Sequence, residues 1–156
     1  MLIAAINIPQ FDKHNIILSN KTNNNIVEQG FFYRIYYSDR YYTSNGIYIL
    51  LKLKNINVEK YFNKIKCIFP IIGNESVIKQ IKKIEEQILN HFDLKKRKRY
   101  KISEQLNSRF IKIICEKNKD WGYRPYINLA LKFSGIWESE TEYGITFRFY
   151  IIHSQL

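Results

Sequence analysis

Apolar and polar residues alternate near the carboxyl end of the chain in a pattern typical of a β-hairpin. Strand-forming residues fill positions 129–137 and 143–152, and the polar segment 138–142 separates them. Because successive side chains of a strand point to opposite faces, every second residue is expected to lie in the core. The second run thus predicts a buried face of Ile145, Phe147, Phe149 and Ile151, opposite Thr146, Arg148 and Tyr150. We expect this hairpin to close the scaffold, with Trp137 buried.

A second hairpin is predicted in residues 31–54. Its first strand, 31–42, is rich in aromatic rings, and its second, 47–54, ends in alternating Leu and Lys. Asn45 and Gly46 lie between them, and an Asn-Gly pair favours a tight turn because both residues tolerate positive φ. Further short strands are predicted at 2–8, 64–69 and 111–115.

One amphipathic helix is predicted in the middle of the chain. Apolar residues recur at spacings of three and four between Val77 and Leu89, which places them on one stripe of a helix. Asn74 or Ser76 is the predicted N-cap, because either side chain can accept a hydrogen bond from a free backbone amide. Other segments are a candidate short helix at 103–110, a flexible loop at 19–29 that includes the low-complexity run KTNNN, and a loop at 118–126.

These elements predict a single domain that spans residues 1–156. Several short strands with one central helix indicate a mainly β member of the α+β class, in which a helix covers a small curved sheet or a partly open barrel. The oligonucleotide-binding barrel is one fold of this kind. A chain of 156 residues is long enough to bury a core without disulfides or metals.

The charge balance indicates a polyanionic partner. The chain has 25 Lys and Arg against 14 Asp and Glu, a formal net charge of +11, and 15% aromatic residues. Basic side chains interleaved with rings suit unpaired bases, so single-stranded nucleic acid is the first partner to consider and an anionic membrane surface the second. Codon bias in an AT-rich genome would account for part of the same composition. No signal peptide or membrane span is predicted, because the amino-terminal apolar run is short and has no basic flank.

Few residues suggest catalysis or a bound metal. A catalytic triad or a metal site needs spacings that bring its members together, and no such motif is present. The scattered histidines and cysteines are His14, His91, His153, Cys67 and Cys115, and the cysteines are expected to be buried free thiols. The best acidic cluster is Glu138, Glu140 and Glu142, which at a hairpin tip is more simply a solvated turn. We therefore predict no enzyme activity, no cofactor and no metal.

The candidate binding residues are cations and rings in the first predicted hairpin, in the run KKRKR and in a few later positions. The cations would neutralise phosphates with release of counterions, and exposed rings would stack bases of any sequence. The predicted nucleic-acid-binding residues are Arg34, Tyr36, Arg40, Tyr42, Tyr48, Lys52, Lys54, Lys95, Lys96, Arg97, Lys98, Arg99, Lys101, Trp121, Arg124 and Arg148. Two alternatives stay open. In the first hairpin, Phe31, Tyr33, Ile35 and Tyr37 are core and their neighbours are only polar tips, and the basic run is a solvated loop or a nuclear-import tract.

The closing hairpin also has a recognisable motif. Residues 134–138 read Ser-Gly-Ile-Trp-Glu, and residues 143–148 read Tyr-Gly-Ile-Thr-Phe-Arg. Together with NGIYILLKLK and KCIF in the first half, the motif resembles small single-stranded DNA-binding-like proteins of large double-stranded DNA viruses. The resemblance implies an oligonucleotide-binding fold and a viral protein that acts in the nucleus or the viral factory of an infected cell.

These observations predict a non-enzymatic, sequence-tolerant single-stranded DNA-binding protein that acts in viral replication or recombination, with a homo-oligomer as the expected state. The alternative is a self-assembling structural protein of a viral particle or crystalline matrix, because tyrosine-rich surfaces and an exposed strand edge favour contacts between copies. A metal-dependent nuclease that uses the three glutamates is the third hypothesis.

Overall fold

The computed structural model describes residues 5–26, 29–114 and 122–152. These residues form a mainly β structure with two helices. The helices are α1 (Glu75–His91) and α2 (Lys101–Asn107). The strands are β1 (Ala5–Asn7), β2 (Ile16–Leu18), β3 (Thr22–Asn24), β4 (Gly30–Ser38), β5 (Thr43–Asn45), β6 (Ile47–Tyr61), β7 (Lys64–Ile68), β8 (Arg97–Arg99), β9 (Phe110–Ile114), β10 (Gly122–Glu138) and β11 (Glu142–Ile151). Neither helix in this part of the chain is long and apolar enough to cross a membrane.

The long strand β10 lies at the centre of the sheet. One edge of β10 pairs antiparallel with β11, and the other edge pairs with β6 along residues 122–133 and with β4 along residues 135–138. The sheet continues from β6 to β7 and from β7 to β9, again antiparallel. This order leaves the sheet open rather than closed into a barrel over the residues described.

The predicted hairpin of residues 31–54 is wrong in its pairing. β4 and β6 lie end to end along β10, and residues 35–46 between them leave the sheet as a smaller hairpin. In this hairpin β4 pairs with β5, while its other edge pairs with β2. Gly46 closes the base of the hairpin instead of forming its tip: its N–H donates to Ile35 O at 2.8 Å, and its φ is 86°. The positive φ of Gly46 is therefore required where the chain rejoins the sheet, and not at the tip of a hairpin.

The closing hairpin is confirmed, with a longer first strand than expected. β10 already begins at Gly122, inside the predicted loop at 118–126, because its amino-terminal half pairs with β6. The register shifts between Phe133 and Gly135, so that Ser134 occupies an irregularity in the strand. The predicted loop at 19–29 also differs from the structure, since β3 within it pairs with β4.

The core lies between one face of the sheet and the helices. β6, β10 and β11 turn alternate residues towards α1, whose apolar stripe confirms the predicted amphipathic helix. The largest fully buried side chains include Ile47, Ile49, Leu53, Phe133, Tyr143, Ile81 and Ile88. Burial of an aliphatic side chain of this size contributes about 1.5–3 kcal/mol, which makes this interface the main source of stability.

Asn74 occupies the N-cap position as predicted, but its side chain bonds to other parts of the backbone and does not cap the helix. It makes no capping hydrogen bond and is 1% exposed. Its amide oxygen accepts the Lys54 N–H at 2.8 Å, and its amide nitrogen donates to Lys54 O at 3.1 Å and to Pro70 O at 2.8 Å. The side chain therefore joins the start of α1 to β6.

A buried carboxylate joins the two helices. Glu85 of α1 is 0% exposed and accepts hydrogen bonds from the amides of Ile102 and Ser103, at 2.8 and 2.9 Å, in the first turn of α2. Burial raises the pKa of Glu85, although these hydrogen bonds act in the opposite direction. The free amides at the start of α2 are thus satisfied by a side chain from α1.

Candidate nucleic-acid interface

The sheet face that points away from the core carries rings and cations on three adjacent strands. These side chains alternate with the buried residues of β6, β10 and β11. We call them the outer-face patch, which consists of Tyr48, Lys52, Lys54, Tyr126, Lys132, Arg148 and Tyr150. The sequence pattern had selected Tyr48, both lysines of β6 and Arg148 for binding. It had not selected the other three, although alternation along β10 and β11 places them on the same face as Arg148.

Lys132 lies on the middle strand at one end of the outer-face patch. The strand register places it opposite Tyr48 on β6 and opposite Arg148 on β11. Its Nζ lies 5.2 Å from the centroid of the Tyr48 ring, and that ring also contacts Tyr150 with 6.4 Å between centroids. Two cations and two rings are thereby held side by side across three strands.

The other end of the patch repeats this combination. Tyr126 lies opposite Lys54, and the Nζ of Lys52 lies 4.7 Å from the centroid of the Tyr126 ring. Tyr126 is 53% exposed, so one side of its ring remains accessible to a flat partner. A pocket of about 440 Å³ adjoins Lys52, between Asn7 and Ile152.

The electrostatics of the patch are uniformly positive. The strand segments 47–54, 126–134 and 146–151 contain Lys52, Lys54, Lys132 and Arg148 and no Asp or Glu. None of these four cations forms an ion pair with another described residue. Their charge is therefore available to an external anion.

The basic run at 95–99 has a different environment. Its last three residues form β8, which pairs parallel with the start of β11. Lys96 Nζ lies 2.8 Å from Glu138 Oε2, and Arg99 Nη1 lies 3.3 Å from Glu142 Oε2. The remaining ion pairs of the run join Arg97 to Glu142, Arg99 to Glu104 and Lys95 to Asp93. Much of this charge is neutralised within the protein, and Lys98 is half-buried.

The glutamates of the closing hairpin are not a simple solvated turn, which corrects the sequence interpretation. Glu138 is 7% exposed and accepts hydrogen bonds from Lys96 and from the hydroxyl of Tyr33, the latter at 2.9 Å. Burial by itself raises the pKa of Glu138, but the bonds from Lys96 and Tyr33 outweigh it and leave this pKa below its usual value. Burial, and then the bond to Glu138, raise the pKa of Tyr33 to about 12. Of the three glutamates only Glu140 is exposed.

The small hairpin of β4 and β5 holds four other predicted residues. Tyr36 is half-buried, whereas Arg40 and Tyr42 are exposed near its tip. Arg34 lies nearer to the outer-face patch, because its cross-strand partner Gly135 is also the partner of Thr146 on β11. This places the exposed Arg34 in the row next to Lys132 and Arg148, and the rest of the group further away.

Three more predicted residues have separate locations. The Nζ of Lys101 lies 4.7 Å from the centroid of the Trp137 ring, and this ring is half-buried, not buried as expected. Arg124 is half-buried and lies opposite the buried Ile56. Trp121 lies outside the described residues, as do Cys115 and His153, while Cys67 is buried.

No cluster of His, Cys, Asp and Glu among the described residues has the arrangement of a metal site. Comparison of the chain with protein-family models, curated proteins and solved structures found no match. The chemistry of the exposed side chains is therefore the basis for assigning a function.

Proposed function

We propose that this protein binds single-stranded nucleic acid, with DNA as the favoured ligand, through the outer-face patch and without reading its sequence. One observation carries the proposal: four cations without ion-pair partners among the described residues stand among three tyrosine rings, on strand segments 47–54, 126–134 and 146–151, which contain no carboxylate. Such a surface attracts phosphates through charge and bases through stacking, and neither contact depends on base identity.

The geometry of the patch indicates which residues would contact phosphates and which would stack bases. Lys132 and Arg148 are cross-strand neighbours and can contact consecutive phosphates, while Lys52 and Lys54 do the same at the other end. Tyr126 is the ring best placed to stack a base, since it is the most exposed of the three. Stacking on an aromatic side chain contributes about 1–3 kcal/mol per base, so a few contacts give useful affinity.

The strand arrangement supports an oligonucleotide-binding fold as part of this proposal. β6, β7 and β9 form one antiparallel run, β10 and β11 another, and the two runs join where β6 pairs with β10. At the opposite side, residues of β9 and β11 approach within 8 Å between Cα atoms. An open barrel of this kind suits a single strand laid across its outer surface. The viral role, the nuclear or viral-factory location and the homo-oligomer belong to the same proposal, and the motif of the closing hairpin is their support.

The experiment is a fluorescence anisotropy titration of labelled oligo-dT at about 0.1 M salt, with the wild type and the double variant Lys132→Gln, Arg148→Gln. Each phosphate contact with a single strand contributes a salt exponent of about 0.7, so loss of two contacts is expected to weaken binding about 25-fold at 0.1 M salt. The matched control is Lys79→Gln, Lys83→Gln, which removes the same charge from exposed positions on α1.

Several outcomes would contradict the proposal. The first is a wild type that does not bind oligo-dT at low salt. The second is an equal loss of affinity in both double variants, because that would indicate a diffuse effect of charge. Parallel titrations with double-stranded DNA and with oligo-U rank the ligand classes. Light scattering of the protein alone tests the structural alternative, because large particles free of nucleic acid would favour self-assembly.

A further inference from the structure

A second group of rings and cations lies at the far end of β6, where the β6–β7 hairpin turns beside β9. We call it the tip patch, which consists of Tyr61, Phe62, Lys64, Lys66, Phe110 and Lys112. The sequence pattern had pointed to none of these residues for binding. Phe62 is 84% exposed, which makes it the most exposed ring of the described residues.

The tip patch is organised by contacts between its own members. Lys112 Nζ lies 4.2 Å from the centroid of the Tyr61 ring, and Lys66 Nζ lies 4.5 Å from that of Phe110. The Phe62 ring meets Tyr61 edge to face, with 5.2 Å between centroids. These contacts hold the cations beside the rings, while Phe62 projects from a turn in which its φ is 53°.

In both halves of β6 the patch residues alternate with buried ones, although the buried positions change from odd numbers up to Leu53 to even numbers from Ile56, on either side of Asn55 with its φ of 56°. Tyr61 pairs with Lys64 and Lys66 pairs with Lys112, whereas the intervening pairs Val58–Cys67 and Ile65–Ile113 turn towards the core. At about 3.3 Å per residue, β6 extends about 43 Å from Tyr48 to Tyr61. Between the two patches stands Tyr123, which is 64% exposed and donates its hydroxyl to Asn55 Oδ1 at 2.9 Å.

We propose that the tip patch is a second contact for the same nucleic-acid strand, so that one strand follows β6 from the outer-face patch to the tip. This inference rests on the proposed function. The charge of the tip patch favours a polyanion, because its three lysines outnumber Glu59, the carboxylate that pairs across the strands with Lys66. Rings beside these lysines favour unpaired bases over an anionic protein segment. A strand long enough to reach both patches gains contacts that a short one cannot make.

The test compares two lengths of labelled oligo-dT, about 6 and about 24 nucleotides, which bracket the usual site sizes of such domains. The variant is Phe62→Ala, Lys112→Gln, and the matched control is Ile72→Ala, Lys79→Gln, which removes an exposed apolar side chain and a lysine elsewhere. We expect the tip variant to bind the long oligonucleotide about tenfold more weakly than the wild type and the short one unchanged. Phe62→Tyr should retain the wild-type affinity, because it keeps a ring.

Equal weakening for both lengths, or no weakening for the long one, would overturn the inference. Loss of binding to phosphatidylserine–phosphatidylcholine vesicles in the tip variant, with oligonucleotide affinity unchanged, would assign the surface to a membrane and overturn it as well. Failure of the proposed function has a different signature. In that case the wild type binds neither oligonucleotide, or the variant of Lys132 and Arg148 leaves the affinity for both lengths unchanged.

Discussion

The ion pair between Lys96 and Glu138 is where the structure departs furthest from a solvated hairpin tip. The Glu138 side chain is 10% exposed and that of Lys96 is 28% exposed, and their charged atoms are 2.8 Å apart. Replacement of Glu138 by Gln keeps the shape of the side chain and an oxygen that can accept the Tyr33 hydroxyl. It removes the negative charge and leaves the ammonium group of Lys96 without its carboxylate.

The cost follows from this burial. Removal of one partner of a fully buried ion pair costs about 3–5 kcal/mol, whereas an exposed pair contributes at most about 1 kcal/mol. Lys96 keeps some contact with water and a hydrogen bond to Ser139 O at 2.9 Å. We therefore expect Glu138→Gln to lower the free energy of unfolding by about 2 kcal/mol, which corresponds to a fall of about 4–8 °C in Tm for a chain of this length.

Urea denaturation followed by circular dichroism at pH 7 measures this effect. Glu140→Gln is the matched control, because it removes the same charge from an exposed position in the same turn and should change stability by less than about 0.5 kcal/mol. A double-mutant cycle with Lys96→Met should return a coupling energy of at least about 1 kcal/mol. A Glu138→Gln variant as stable as Glu140→Gln would refute the view that this pair stabilises the hairpin.

The same pair predicts a dependence on pH. The pKa of Glu138 in the folded protein lies below its ordinary value of 4.5, so its stabilising effect is present above pH 4.5 and is lost as pH falls through the folded pKa. The difference in stability between the wild type and Glu138→Gln should therefore shrink below pH 4.5. A difference that stayed constant down to the acid transition would contradict this assignment.

Three further predictions concern packing, a hydrogen-bonded side chain and the interface. Gly135→Ala should destabilise the protein by more than about 2 kcal/mol in urea denaturation, because the new Cβ would stand 2.4 Å from a backbone oxygen of β4; a loss below about 0.5 kcal/mol would show that the strands separate easily. Asn74→Ala should lower the free energy of unfolding by about 2–3 kcal/mol, because three hydrogen bonds are lost, and Ser76→Ala at an exposed position should lower it much less. Equal effects of the two substitutions would indicate that Ser76 caps the helix after all. The logarithmic salt slope of binding to the oligo-dT of about 6 nucleotides should be about −2.8 for four phosphate contacts and about −1.4 for Lys132→Gln, Arg148→Gln, and an unchanged slope would exclude these residues from the interface.

Local periodicity predicted the elements that depend mainly on near neighbours. The stripe from Val77 to Leu89 predicted α1, and the alternation around residues 129–152 predicted the closing hairpin with its inner and outer faces. In both cases the sequence separation of the interacting side chains is small, so the pattern itself records which face is buried. The face that carries Arg148 could be read in the same way.

Pairing between distant strands could not be read from the sequence. The ring-rich strand and the strand after Gly46 are adjacent in the chain, which favoured a hairpin, yet both pair with β10, whose paired residues are 64–107 positions further along. Only the register of β10 decides that Lys132 stands between Tyr48 and Arg148. Alternation predicts the face of a strand, but it contains no information about the strand beside it.

The sequence by itself determined the amount of positive charge, the main helix, the closing hairpin and the faces of its strands. The tertiary structure alone decided which cations are available. The five-residue run 95–99 has the highest local charge of the chain, yet Lys96 and Arg99 face Glu138 and Glu142, 42 or 43 positions away. The four cations of the outer-face patch are dispersed over 97 positions from Lys52 to Arg148, and they meet no carboxylate. The reason is physical: the field at a surface depends on distances in space, which the order of residues along a chain does not specify.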